Sequence, residues 1–124
     1  MAEAAATTEP AAAIEVRGLV THYGDREILH GIDMDVRQGE IMVIMGGSGS
    51  GKTTLLRLLL GLEKATSGSI KRLDHELTSM SDVELYEVSR KLGVAFQSGA
   101  LFSSMTVGEN VMLPLVEHTS LDPG

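Results

Sequence analysis

Cysteine is absent from the 124 residues, which excludes a disulfide framework and any thiolate metal site. A reducing compartment fits that absence without proving it. No stretch approaches the roughly 20 consecutive apolar residues that a bilayer-spanning helix needs, so any membrane association has to run through a partner. Basic runs are missing as well, and the formal net charge is -7. Nucleic acid is therefore not an expected partner, because gripping a phosphate backbone takes clustered Lys and Arg. Aromatics are scarce, with two tyrosines and two phenylalanines, so few side chains can serve as a platform for a planar ligand. Residues 1–13, MAEAAATTEPAAA, have neither the basic nor the apolar region of a secretory signal, and Glu3 and Glu9 argue against a mitochondrial presequence. They read as a loose, disordered, alanine-rich leader, with the folded part over residues 14–124.

What remains is ordinary globular stock, 43% hydrophobic and 22% charged, enough for one small domain. Its most informative string is GGSGSGKTT, Gly46 to Thr54. Gly46, Gly51, Lys52 and Thr53 satisfy the phosphate-cradle spacing G-x-x-x-x-G-K-[ST]. Chance produces that spacing in on the order of 1 in 250 chains of this length. Glycines allow backbone N–H groups to turn toward phosphate oxygens where a Cβ would obstruct them. Lys52 offers a point charge to the terminal phosphates, and the Thr53 hydroxyl can ligate Mg²⁺. Gly47, Ser48, Gly49, Ser50 and Thr54 line the cradle, mainly through N–H donors. The plainer alternative is a flexible Gly/Ser loop with an incidental lysine. Context argues against it. Ile41, Met42, Val43, Ile44 and Met45 form an unbroken apolar run, as in a strand buried on both faces. The leucines at 55, 56, 58, 59 and 60 follow as a helix whose N-terminal dipole would face the phosphates.

Elsewhere the pattern predicts a strand from Ile14 to Val20, with Ile14, Val16, Gly18 and Val20 on one side. A turn at Gly24 and Asp25 follows. Ile32, Met34 and Val36 then alternate with Asp33, Asp35 and Arg37, as on a half-solvated antiparallel strand. The carboxylate pair Asp33 and Asp35 reads as a solvated face. Gly61 is the expected helix C-cap, and residues 70–73 a short strand. Ser81 and Glu84 match a capping box whose helix runs to about Lys91. Residues 94–96 read as a short apolar strand ending at Gln97. Thr106 and Glu109 form a second capping box, and its helix is expected to kink or end at Pro114. There is no internal repeat. The four histidines lack ligand spacing.

Tyr23, GGSGSGKTT, the Phe96-Gln97 pair and the segment SGSIKRLDHELTSMS occur in an order that resembles the ATP-binding subunits of ABC transporters. The likeness runs from Ile14 to about Leu121. Within that family, FQSGALF (residues 96–102) and LPLVEHTSL (residues 113–121) are most similar to the ATPases of MCE-associated, Mla-type phospholipid importers of the Gram-negative envelope. The resemblance implies an α/β P-loop NTPase fold of ABC-ATPase type, an antiparallel β layer plus a partial parallel-sheet core. It implies ATP and Mg²⁺ as cofactors, Tyr23 against adenine, and Gln97 as a catalytic contact to Mg²⁺ or water. A half-buried tyrosine and a strand-end polar residue are the plainer readings of those two positions. Implied partners are a transmembrane permease subunit, docking over residues 98–110, and a second ATP-binding subunit. The implied location is cytoplasmic, peripheral on the inner membrane through the permease.

The family's domain is roughly twice this length. No LSGGQ-like segment, no apolar strand ending in an Asp-Glu pair and no switch histidine appear before Gly124. The chain thus looks like the truncated, N-terminal half of such a domain. It is expected to bind nucleotide weakly, to show no meaningful turnover, and to self-associate through residues 41–45. Gly47 stands where the family often has proline, Thr53 where serine is commoner, and Gly108 where a bulky residue is usual. Two other readings stand beside the ATPase. One is a nucleotide-binding interaction module without catalysis. The other is a different phosphate-loop class such as a small-molecule kinase or a GTPase, although a guanine-reading N-K-x-D is missing.

Overall fold

A computed structural model describes residues 11–122, so the leader expected over residues 1–13 falls outside the described residues as far as position 10. The chain divides into two compact units, Met1–Ser89 and Arg90–Gly124.

The first unit is built on an antiparallel sheet in the order β2-β1-β3-β4. Strands β1 (Ala12–Tyr23) and β2 (Arg26–Arg37) form a hairpin. The predicted turn at Gly24 and Asp25 joins them, with Tyr23 opposite Arg26. On its other edge β1 pairs with β3 (Ser67–Arg72), which pairs with the short β4 (His75–Glu76). Three of the apolar positions predicted for β2, Ile32, Met34 and Val36, are half-buried while Asp33, Asp35 and Arg37 are exposed, so the period of two holds there.

In β1 it breaks. The register shifts between Val16 and Leu19, and the inward set changes from Val16 to Leu19 and Thr21. Gly18 and Val20 therefore do not continue the face begun by Ile14 and Val16, as the sequence pattern predicts. The cause is a bulge at Arg17 and Gly18, where Gly18 adopts φ 54°, a conformation that glycine tolerates. Asp33 and Asp35 pin it. The Asp33 carboxylate accepts the Gly18 N–H at 2.7 Å, and Asp35 pairs with Arg17 at 2.5 Å.

Helix α1 (Lys52–Leu59) lies on this sheet. Leu55, Leu58 and Leu59 enter one core with Val16, Leu19, Leu29 and Ile70, joined by Leu77 from a short 3-10 turn and Leu85 from α2 (Asp82–Ser89). Full burial of each such side chain is worth about 1.5–3 kcal/mol. Helix α1 ends as predicted. Gly61 takes φ 75°, and the Gly61 and Leu62 N–H groups bond the Leu58 and Arg57 carbonyls at 3.0 and 2.9 Å, a Schellman motif. Helix α2 ends at Ser89, two residues short of the expected Lys91.

The expected parallel strands are not formed. Residues 41–45 carry no strand assignment, and Ile41 and Met45 are 91% and 86% exposed. Residues 94–96 are irregular and exposed as well. A parallel strand draws its hydrogen bonds and its cover from neighbours on both sides. Among the described residues the sheet stops at β2 and β4, and neither stretch has a strand partner.

The second unit contains α3 (Val107–His118). Its capping box is complete: the Thr106 hydroxyl accepts the Glu109 N–H, and Glu109 accepts the Thr106 N–H. Of the two outcomes expected at Pro114, a kink or an end, the second does not occur: the helix continues to His118. Proline removes one hydrogen bond to the turn before it, and the remaining helical bonds carry the chain through.

Candidate functional site

The apolar run, the glycine loop and α1 follow one another without interruption. Gly51 is the residue that turns the loop into the helix. It sits at the N-cap with φ 91° and no side chain caps the helix. A Cβ there would meet Leu29 Cδ2 at 2.8 Å, so both conformation and space demand glycine. At Gly46 a Cβ would lie 2.6 Å from Ser50 Oγ, so any larger residue there would have to displace the Ser50 side chain. At Gly47 a Cβ would meet nothing within 4 Å. Gly49 adopts φ 79°, and the Ser50 N–H closes a turn on the Gly47 carbonyl at 3.2 Å.

The first helical hydrogen bond runs from the Leu55 N–H to the Gly51 carbonyl at 2.8 Å. The N–H groups of Lys52, Thr53 and Thr54 therefore leave the end of α1 without helical acceptors. The first turn carries no acidic residue, so nothing on the helix itself offsets the positive end of its dipole. Lys52 folds back over the loop. Its Nζ donates to the Gly46 and Gly47 carbonyls, both at 2.7 Å, and to Ser50 Oγ at 3.2 Å. Loop carbonyls thus hold the ammonium above the ring of glycines.

Thr53 is exposed at the mouth of the loop and Thr54 is buried. Thr54 can therefore line the cradle only through its backbone N–H. Its hydroxyl lies 3.5 Å from the Tyr23 hydroxyl. Tyr23 ends β1 with its ring half exposed, and its phenol donates to Glu63 Oε2 at 2.6 Å. Glu63 Oε1 in turn accepts Arg57 Nε at 2.7 Å. Sequence reasoning passed over Glu63 and Arg57, because only the Schellman turn and the sheet together bring them to Tyr23. Gln97 belongs to the second unit, in an exposed irregular segment rather than at the end of a strand.

These residues fit a triphosphate. Glycines allow the tight turn into α1, the first amides of the helix have no helical acceptors, and the Lys52 ammonium lies over the loop on the Gly46 and Gly47 carbonyls. They also fit Mg²⁺ held jointly by a hydroxyl and phosphates, with Thr53 as the protein ligand. Among the described residues no group of three His, Asp or Glu side chains is placed to hold a metal ion, so this chain offers a hydroxyl rather than a carboxylate cage.

A family model described as ABC transporter matches residues 29–122. The chain is 44% identical over 108 residues to the intermembrane phospholipid transport system ATP-binding protein MlaF of Haemophilus influenzae, covering 87% of this chain and 41% of that protein. It is 42% identical over 105 residues to the phosphonates import ATP-binding protein PhnC of Fusobacterium nucleatum, covering 85% and 42%. Among solved structures, a dimeric bacterial ABC transporter cassette superposes with TM-score 0.81 at 32% identity, over 90% of this chain and 50% of that one. A dimeric post-hydrolysis cassette bound to ADP and Pi gives 0.80 at 30% over the same shares. The chain therefore spans about two fifths of its curated relatives and half of the solved cassettes.

Proposed function

Because this chain belongs to the ABC transporter family, matched over residues 29–122, we propose that it is the nucleotide-cradling portion of an ATP-binding subunit that powers transport. The observation that carries this reading is the position of Lys52, held over the glycine loop by two carbonyls at the mouth of a helix with unpaired amides.

In this reading the main-chain donors of residues 46–54 wrap the phosphates. The Lys52 ammonium leaves its carbonyl partners for the terminal phosphates, and Thr53 ligates Mg²⁺. Bound Mg²⁺ supplies charge neutralisation for phosphoryl transfer to water. Tyr23 presents its ring to the adenine, and Gln97 contacts Mg²⁺ or water. Gln97 is uncharged, so it can orient water without binding the metal tightly. Gly46, Gly47, Ser48, Gly49, Ser50, Gly51 and Thr54 contribute backbone rather than side-chain chemistry. Residues 14–124 act as one portion of the ATP-binding domain, paired in the assembled transporter with a second such subunit and a transmembrane permease. Among the described residues no helix is long and apolar enough to cross a membrane, which is why the reading places contact with the bilayer in the permease.

The finer proposal is phospholipid transport in the bacterial envelope. It is supported by 44% identity to the phospholipid-system protein and by the strings FQSGALF and LPLVEHTSL. The phosphonate importer stands at 42%, so the cargo rests on those strings more than on the overall score.

Calorimetric titration of Mg-ATP into the chain and its Lys52→Ala variant tests the cradle. Losing charge-assisted hydrogen bonds to phosphate weakens binding about 10- to 100-fold. Equal affinities for the two proteins would contradict the proposal.

A further inference from the structure

We infer that Glu63 is a positioning residue for the Tyr23 ring, tying the hairpin tip to the helix that carries the phosphate loop. The inference rests on the nucleotide reading above and deepens it. A tyrosine at the end of a strand, beside a two-residue turn and half exposed, has two side-chain torsions to settle. The Glu63 carboxylate settles them by accepting the phenol at 2.6 Å. Glu63 is itself fixed from two sides. Arg57 Nε holds its second oxygen at 2.7 Å, and the Schellman turn at Gly61 and Leu62 fixes the backbone immediately before it.

Gly61 packs close to the core, since a Cβ added there would lie 3.2 Å from Leu85 Cδ2. The carboxylate is 21% exposed while Arg57 is 52% exposed, so Glu63 is the inner member of the pair. An exposed ion pair alone contributes little. Here the same carboxylate also takes a phenol proton donor, so it joins Tyr23 at the end of β1 to Arg57 on α1. The surface meant for the base and the amides meant for the phosphates then share one mount. A rigid mount lowers the ordering that binding would otherwise require.

The test compares Mg-ATP with inorganic tripolyphosphate, which has no base, by calorimetry on the full chain. Glu63→Ala is expected to weaken ATP binding about five-fold, a fraction of what base stacking contributes, and to leave tripolyphosphate unchanged. Tyr23→Phe should give the same loss, and Glu63→Ala should add nothing in that background. Glu63→Gln keeps an acceptor for the phenol and should restore binding. A second readout is spectroscopic. The chain has no tryptophan and two tyrosines, so Tyr86→Phe leaves Tyr23 as the sole emitter. Removing the carboxylate acceptor should brighten it.

Equal weakening of both ligands, or of neither, overturns the tether while the cradle stands. A wild type that binds neither ligand, or a Lys52→Ala variant that binds both as before, overturns the nucleotide reading and this inference with it.

Discussion

Residues up to Ser89 enclose nine buried apolar side chains drawn from β1, β2, α1, β3, the 3-10 turn and α2. From Arg90 onward no side chain of α3 is buried. The second unit is held by local polar contacts instead. Asn110 alone accepts the Phe102 N–H at 2.8 Å and donates to the Phe102, Met105 and Thr106 carbonyls at 3.1, 3.3 and 2.9 Å. One unit is thus ordered by a packed apolar core, and the other mostly by short-range polar contacts, with the Arg90 guanidinium donating to the His118 carbonyl at 2.8 Å as its longer-range tie. The lesson for function is that the cradle stands on the packed unit. A Cβ on Gly51 would meet Leu29 and Lys52 opens α1, whereas residues 102–110 of the second unit are tied chiefly to one another through Asn110.

The largest expected effect breaks the packed side of the comparison. Leu58 is 1% exposed at the centre of the core, and Leu58→Ala should destabilise the first unit by about 3 kcal/mol. Urea unfolding followed by hydrogen exchange checks it. Amides of β1 and α1 should lose protection while those of α3 keep theirs. Parallel loss in α3 would show that the two units unfold as one.

Next comes the polar side. Asn110→Ala removes four hydrogen bonds from a half-buried amide and should cost about 1–2 kcal/mol locally. Exchange should quicken over residues 102–106 and leave the sheet untouched. A change in β1 protection would contradict the division.

A smaller effect of opposite sign is expected at Gly108. A Cβ there would meet only Thr106 Oγ1, at 4.0 Å. Gly108→Ala should therefore stabilise α3 by up to about 1 kcal/mol, read as higher helical ellipticity. A loss of helix would show that the position needs glycine for a reason other than space.

The same division explains what the sequence made legible. The turn of glycines leading into α1, both capping boxes, the Gly24-Asp25 turn and the Gly61 cap are local devices, and each stands where its residues predict. The face of β1 could not be read, because the bulge at Gly18 depends on Asp33 across the hairpin. Glu63 escaped notice because its partner lies forty residues away. Residues 41–45 have the composition of a buried strand but no neighbour among the described residues. An apolar run states what it needs, and only the rest of the sheet can supply it.

The smallest expected effect uses one device that occurs in both units. Ser81 and Glu84 open α2 as Thr106 and Glu109 open α3. Hydrogen bonds from the Ser81 hydroxyl and then its N–H hold the Glu84 carboxyl below its ordinary value of 4.5. At Glu109 the Thr106 N–H acts first and the hydroxyl second, in the same direction. A carboxyl lowered on folding stabilises fully above its unfolded value, and that contribution is lost as pH falls through the folded value. Both caps should therefore be intact near neutrality and weaken as the solution is acidified from about pH 4.5 downward. Helix α2 is additionally anchored by Leu85 in the core, whereas α3 has no buried residue to fall back on. Helical ellipticity lost on acidification should thus come mainly from α3, and Glu109→Gln, which accepts the same N–H without titrating, should flatten the response more than Glu84→Gln. An acid response unchanged by Glu109→Gln would mean that packing, not the cap, sustains the second unit's helix, and the contrast between the two units would fail at its most local point.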